Sequence, residues 1–227
     1  MTISVIICVY NEKKTILEIL KRVQKTEFKK EIIVVDDGST DGTAKILKKL
    51  KTKGTNIKIL FKNQNQGKGA AIRTALKHTQ GDYIVIQDAD LEYDPQDIKK
   101  LLKPIKEGKA EVVYGSRFTG ERRNMFFWHF FANQFLTLMT DILFNTTLSD
   151  METGYKLFKA KLIKGIKFNA NRFDFEPEIT ARILKKKIRI YEVPISYAGR
   201  EYHEGKKIMF KDGIIALFVL FKYRFFN

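Results

Sequence analysis

An α/β fold, with a mostly parallel sheet flanked by helices, is what this sequence predicts, and three observations predict it. Apolar, β-rich runs alternate with stretches of helical period through the first half of the chain. The runs are apolar on consecutive residues, as strands covered on both faces require. Acid-rich clusters follow the runs, at the carboxyl ends of strands where ligands of open α/β sheets bind.

The first run, ISVIICV (3–9), holds the single cysteine of the chain, Cys8. One cysteine excludes an internal disulfide framework, and its apolar setting predicts a buried structural thiol. Met1 leads almost directly into this run with no basic stretch of a signal peptide, so a cytoplasmic location is expected. Helical period follows near 12–25, then the run IIVV (32–35) and a helix near 43–51. The alternation continues with IKILF (57–61), a helix near 69–79, YIVI (83–86), a helix near 95–106 and EVVY (111–114). Asp94-Pro95 reads as the cap and first turn of the helix near 95–106.

The second half changes character. Residues 122–144 are rich in Phe, Leu and Met and about as long as a membrane span, but His129, Asn133, Gln134 and Asp141 interrupt them. Lipid would leave those groups unsatisfied, so a buried or interfacial helix is expected. In the tail, 207–226, the apolar stretch Gly213–Phe221 is too short to span, and Lys211, Lys222 and Arg224 surround it. Aromatics beside basic residues suit an amphipathic helix lying on a membrane surface. At 227 residues and 44% apolar composition, one domain with a real core is expected. A formal charge of +16 points to an acidic partner, which nucleic acid, anionic lipid or a phosphorylated small molecule would satisfy.

Three segments carry chemistry. In VVDDGSTDGT (34–43), Ser39 or Asp41 can cap the helix starting near Thr43. Asp37, Ser39 and Asp41 imitate a calcium loop, but Lys48 stands where that loop needs a bidentate glutamate, which excludes it. Capping does not need two adjacent acids, whereas a carboxylate at a strand end can accept from a base N–H or a ribose hydroxyl. In NQNQGKGAAIR (63–73), Gly67-Lys68-Gly69 opens a helix, a setting for phosphate. Lys62 and Gly69 break the Walker pattern, and a simple tight loop is the plainer alternative. In IVIQDADLEYDP (84–95), Asp88 and Asp90 flank Ala89 at a strand end. Carboxylates this close stay ionised beside a cation, and Mg²⁺ or Mn²⁺ with substrate phosphates fits.

The ordered set SVIICVYNE, VVDDGSTDGT, NQGKGAA and QDADLE resembles the family-two glycosyltransferases, which have the GT-A fold with its Rossmann-like sheet. The later pieces YGSRF, SDMETGYKLF, FEPEI and VPISYAGREYHEGKK are similar to the polyprenyl-phosphate branch, which includes dolichol-phosphate mannose and glucose synthases. The resemblance covers nearly the whole chain. It implies that Tyr10, Glu12, Asp36, Asp37 and Ala89 line the nucleotide pocket, with Lys68 close by. It implies a metal at Asp88 and Asp90, with Glu92 where mannose synthases tend to carry glutamine. Arg117 and Arg200 would meet the acceptor phosphate and the diphosphate, assisted by Arg122, Arg123 and Lys206. Residues 1–117 would form the nucleotide-sugar half, 118–207 the acceptor half and 208–227 an amphipathic C-terminal helix. The Q-x-x-R-W signature of processive synthases is missing. Many relatives carry transmembrane helices after the catalytic domain. This chain ends at Asn227, so peripheral attachment on the cytoplasmic face is expected.

The implied reaction moves a sugar from a nucleotide diphosphate sugar, UDP- or GDP-linked, to a polyprenyl phosphate, with inversion. A phosphate monoester is already ionised and needs no protein base. A sugar hydroxyl acceptor would need one, and Asp150 or Glu152 could serve, their other role being capping and packing. Three rival readings have weaker support. A phospho-acceptor domain should carry its paired acids after the first strand, a membrane-bound scaffold would not need Asp90, and no nucleic-acid motif is recognisable.

Overall fold

The computed structural model describes residues 1–50, 52–200 and 210–226. A seven-stranded sheet organises them, with strand order β3-β2-β1-β4-β6-β5-β7. The strands are β1 (Ile3–Val9), β2 (Lys30–Asp36), β3 (Ile57–Phe61), β4 (Tyr83–Asp88), β5 (Val112–Ser116), β6 (Lys156–Lys159) and β7 (Tyr191–Pro194). β1 pairs in parallel with β2 and β4, β2 with β3, and β5 with β7. β6 runs antiparallel between β4 and β5, with Val85 opposite Leu157 and Tyr114 opposite Lys156. Six strands therefore end at one edge, and the reversed β6 begins there.

The helices are α1 (Ile16–Gln24), α2 (Thr43–Lys49), α3 (Lys68–Leu76), α4 (Ile98–Lys106), α5 (Phe127–Phe144), α6 (Ala160–Lys164), α7 (Phe175–Lys185) and α8 (Phe210–Phe225). One core packs one face of the sheet against α1 and α4, through Val5, Ile7, Ile19, Val34, Val85 and Leu101. A second packs the other face against α3 and α7, through Ile6, Val35, Ile72, Ile84, Phe158 and Ile179. Alternate strand residues enter opposite cores, which is why the runs read as continuously apolar. Asp94 accepts a hydrogen bond from Gln96 N, as the Asp94-Pro95 cap requires.

The structure adds two strands that the sequence did not announce. β6 and β7 have four residues each. β6 carries lysine at both ends, and β7 ends on Pro194, a residue at home on a sheet edge.

The interrupted segment 122–144 becomes α5. Its inner face buries Leu136, Thr137 and Thr140. The outer face exposes Phe127, Trp128, Phe131, Phe135, Leu138 and Ile142, with Trp128 75% accessible. α8 packs against α5 and α7 through Ala216, Val219, Leu220 and Tyr223. It exposes Ile214, Ile215, Phe218 and Phe225 on its other face. Among the described residues no helix is long and apolar enough to cross a membrane.

Candidate active site

The sheet edge where six strands end holds a cavity of about 330 Å³. Tyr10 and Glu12 enter after β1, Asp37 after β2, Asp88–Asp90 at and after β4, and Arg117 after β5. Because β6 is reversed, the segment leading into it, which carries Glu152 and Gly154, reaches the same edge. Arg200 arrives beyond β7, and Glu176 from the first turn of α7.

The acids after β4 do not share one role. Asp88 Oδ1 lies 2.8 Å from Lys68 Nζ. Asp90 Oδ2 lies 3.2 Å from Arg200 Nη2, which also meets Glu12 Oε1 at 3.2 Å. Burial, then the charges of Asp88 and Glu92, push the Asp90 carboxyl up to about 7. Burial opposes the charge on Arg200, but Asp90 and Glu12 outweigh it and hold the guanidinium above its ordinary value. Glu92 is otherwise engaged. Its Oε2 accepts from Tyr197 OH at 2.8 Å and its Oε1 from Arg200 N at 2.9 Å. Both Glu92 oxygens thus hold the 197–200 segment, at the wall of the cavity that Asp88 and Asp90 also line. Among the described residues no three His, Cys, Asp or Glu side chains form a metal cage. The hard carboxylates of Asp88 and Asp90 fit the share of a Mg²⁺ or Mn²⁺ shell that phosphates complete.

Lys68 bridges two acids, Asp88 and Glu176, the latter at 2.9 Å. Burial alone would lower its pKa, yet these two carboxylates raise it well above the lysine range. The glycines around it serve close packing. A Cβ on Gly67 would strike Asn171 O and one on Gly69 would strike Ala170 O. The glycine-lysine-glycine turn thus lets the 170–172 segment approach α3. Its lysine pairs with Asp88 and Glu176 at the cavity wall, and the glycines match the tight-loop alternative.

Arg117 is also committed. Its Nε and Nη2 donate to Asp150 Oδ2 and Oδ1, each at 2.7 Å, and Nη2 also donates to Asn133 Oδ1 at 2.9 Å. Asp150 is fully buried. This fork-to-fork pair engages both Asp150 oxygens with Arg117, an arrangement unlike the free carboxylate that the general-base expectation needs. The polar interruptions of α5 explain themselves here. Besides Asn133, Gln134 Nε2 donates to Ser149 O and Asp141 Oδ1 accepts from Leu148 N, so the inner face of α5 grips the 148–150 segment.

Beneath the cavity, Lys156 is fully buried, and its Nζ donates to Met151 O at 2.7 Å, 3.7 Å from the Tyr114 ring centroid. Burial pushes this ammonium down to about 8. Burial, then Glu176, push Glu152 up to about 8. Cys8 lies at the cavity wall, and burial raises its thiol far from the reactive range.

Residues 4–166 match the family described as Glycosyl transferase family 2. The chain belongs to the family-two glycosyltransferases. It is 33% identical over 219 residues to a UDP-N-acetylglucosamine–dolichyl-phosphate N-acetylglucosaminyltransferase of Methanococcus voltae, covering 88% of this chain and 87% of that protein. It is 29% identical over 212 residues to a dolichol-phosphate mannosyltransferase of Pyrococcus furiosus, covering 91% of this chain and 59% of that protein. The fold is that of glucosyl-3-phosphoglycerate synthase of Mycobacterium tuberculosis, solved with Mn²⁺, UDP and phosphoglyceric acid. The TM-score is 0.74 at 19% identity, covering 100% of this chain and 79% of that one. The same synthase, solved with Mg²⁺ and UDP, matches with TM-score 0.68 at 21% identity, covering 89% of this chain and 73% of that one. The GT-A fold expected from the motifs is thereby established.

In this glycosyltransferase the remaining site residues fall into place unevenly. Tyr10, Glu12, Asp37, Lys68, Asp88, Ala89, Asp90, Glu92, Arg117, Glu152 and Arg200 all line the one cavity. Asp36 does not, a correction. It is buried under Ser39, whose hydroxyl it accepts. Asp37 lines the cavity while clasping the 62–67 loop, accepting from Lys62 Nζ at 2.6 Å and Gly67 N at 2.6 Å. Gly42 occupies the N-cap position of α2, and of the two residues expected to cap it Asp41, one position earlier, is the one that accepts from Thr43 N, while Ser39 does not. Arg122 is corrected to a brace, donating to Phe118 O at 2.8 Å outside the cavity. The Arg123 backbone N–H donates to Tyr197 O, stitching the Arg200 segment in place. Lys206 lies outside the described residues. Sequence reasoning missed Glu176 and Gly154 as site residues. The FEPEI motif held the signal for Glu176, since an acid in a helix's first turn beside buried neighbours is rarely left unpaired.

Proposed function

We propose that this family-two glycosyltransferase moves a sugar from a nucleotide diphosphate sugar to a polyprenyl phosphate at a membrane surface, with inversion at the anomeric carbon. The observation that carries this reading is one cavity holding Asp88 and Asp90 against Arg200, with Asp90 pushed up to about 7 even beside that guanidinium. A buried carboxylate so disfavoured, beside a second one, is suited to a divalent ion and a diphosphate. Residues 1–117 supply the nucleotide side, 118–207 the acceptor side, and α8 belongs to the surface-binding tail.

Asp88 and Asp90 would hold Mg²⁺ or Mn²⁺. Such an ion neutralises charge on a departing diphosphate. Tyr10, Glu12 and Asp37 line the nucleotide end. Arg200, resting on Glu12 and Asp90, is placed to turn to a phosphate once those acids are otherwise occupied. Arg117, fixed by Asp150 and Asn133, presents a set positive charge at the cavity wall. An acceptor phosphate oxygen forms its bond to the anomeric carbon as the bond to the diphosphate oxygen breaks. No proton need be removed. With Asp150 engaged, transfer to a sugar hydroxyl would have to use Glu152.

The exposed apolar faces of α5 and α8, with Lys211, Lys222 and Arg224 exposed beside them, suit peripheral attachment, which we place on the cytoplasmic face. Calorimetry of UDP and GDP with and without Mg²⁺ tests the site. Metal should tighten binding of one nucleotide by about tenfold or more, and Asp90→Asn should abolish that gain. Equal binding in both proteins, indifferent to metal, would refute the assignment.

A further inference from the structure

The guanidinium of Arg200 meets three acids at once. Its Nη2 donates to Asp90 Oδ2 and to Glu12 Oε1, each at 3.2 Å, and its Nη1 reaches both Glu12 oxygens at 3.2 Å. Nε has Glu92 Oε1 at 3.6 Å, too far for a hydrogen bond. Among the described residues it is one of three buried side-chain atoms left without one. Charge-assisted bonds of a guanidinium usually run to about 2.7–2.9 Å. Arg117 reaches that quality in the same cavity, with Nε and Nη2 each 2.7 Å from Asp150. Arg200 is spread over several carboxylates rather than forked onto one. Of the two guanidiniums it is the one that another cation can displace.

The backbone behind it is firmly held. Ser196 N donates to Asp97 Oδ2 at 2.6 Å, Ala198 N to Glu92 O at 3.0 Å and Arg200 N to Glu92 Oε1 at 2.9 Å. Displacement therefore needs only a turn of the Arg200 side chain. The acid it would vacate, Asp90, is one of the two assigned above to the divalent ion. Two cations on one partly buried carboxylate repel strongly, because the screening of bulk water is weakened there.

Resting on the function proposed above, we propose that Arg200 is the resident counter-cation of Asp90 and Glu12, an autoinhibitory contact that excludes free divalent ion until a nucleotide diphosphate offers the guanidinium another anion. The pairing neutralises acids that would otherwise repel one another. Phosphate is a suitable exchange partner, since the guanidinium fork matches phosphate as well as carboxylate. Lys68 has no such freedom, because it is fixed between Asp88 at 2.8 Å and Glu176 at 2.9 Å.

The test reads two affinities on the full chain. Loss of the spin-resonance signal of free Mn²⁺ gives the affinity for the bare ion, and calorimetry at saturating Mn²⁺ gives those for UDP and GDP. Arg200→Gln, shown folded by its melting curve, should bind bare Mn²⁺ about tenfold or more tighter than the wild type. The same variant should bind the nucleotide that the wild type takes about tenfold more weakly. A merely structural role would not move the two affinities in opposite directions. Should the single variant fail to fold, Glu12→Gln with Arg200→Gln removes an acid together with the cation and is read in the same way. A folded variant that takes bare Mn²⁺ no more tightly than the wild type, or that keeps the full nucleotide affinity, overturns the contact while metal-dependent nucleotide binding by the wild type stands. A folded wild type that binds neither UDP nor GDP with Mn²⁺ overturns the glycosyltransfer reading and the contact together.

Discussion

Arg117 and Asp150 form a buried pair whose removal should be felt first in stability. Asp150→Asn leaves a buried guanidinium without its counter-charge, a change worth about 3–5 kcal/mol. Denaturant titration should show that loss, and the double variant Arg117→Met with Asp150→Leu should recover part of it. A loss of transfer in Asp150→Asn is therefore expected without any role as a base. Glu152 behaves in the opposite sense. Its carboxyl titrates near 8 against an ordinary 4.5, so its contribution to stability is complete below 4.5 and is lost as pH rises towards 8. Glu152→Gln cannot ionise, and its advantage over the wild type should grow across that window. By pH 8 the gain should reach at least ~1 kcal/mol, or about 3 °C in Tm. A melting difference flat between pH 5 and 8 would contradict this.

At the scale of elements, β1, β2, β4 and β5 were legible because each is an apolar run buried on both faces, and β3, only partly buried at the sheet edge, because its apolar run IKILF still stands out between turn residues. β6 and β7 were not. β6 is short, and it buries a charged residue, Lys156, that pattern reading assigns to a surface. Yet β6 explains the site, because its reversed direction delivers Glu152 and Gly154 to the edge where the parallel strands end. Asp88 and Asp90 could be read directly, since they follow an obvious strand. The engagement of Glu92, Asp150 and Arg122 could not, because their partners lie 105, 33 and 4 residues away, respectively, and only the fold brings the first two pairs together. Gly154 gives a test of this packing. Its missing Cβ leaves room for Asp88, and Lys68 Nζ would lie 3.2 Å from any Cβ added. Gly154→Ala should shift Asp88 and weaken metal-dependent nucleotide binding by about tenfold or more, at a stability cost of about 1–3 kcal/mol. Unaltered binding would show that Asp88 has freedom the packing denies it.

At the scale of the molecule, α5 faces two ways. Its inner side fixes Arg117 through Asn133, and its outer side exposes an aromatic row around Trp128, the one tryptophan in the chain. Adding vesicles with anionic lipid should shift Trp128 fluorescence to the blue, less so at high salt. Phe131→Asp combined with Phe218→Asp should reduce that shift, and an unchanged spectrum with the wild type would remove the membrane from the account. The central claim, sugar transfer to a lipid phosphate, has a direct measurement. The wild type is incubated with a panel of UDP- and GDP-sugars, Mg²⁺ or Mn²⁺ and a polyprenyl phosphate, and glycolipid is scored beside a glycan acceptor. The account predicts a polyprenyl-phosphate sugar from at least one donor, no product with chelator or with Asp90→Ala, and none on the glycan. Product on the glycan with none on the lipid phosphate, or none from any donor, would contradict it.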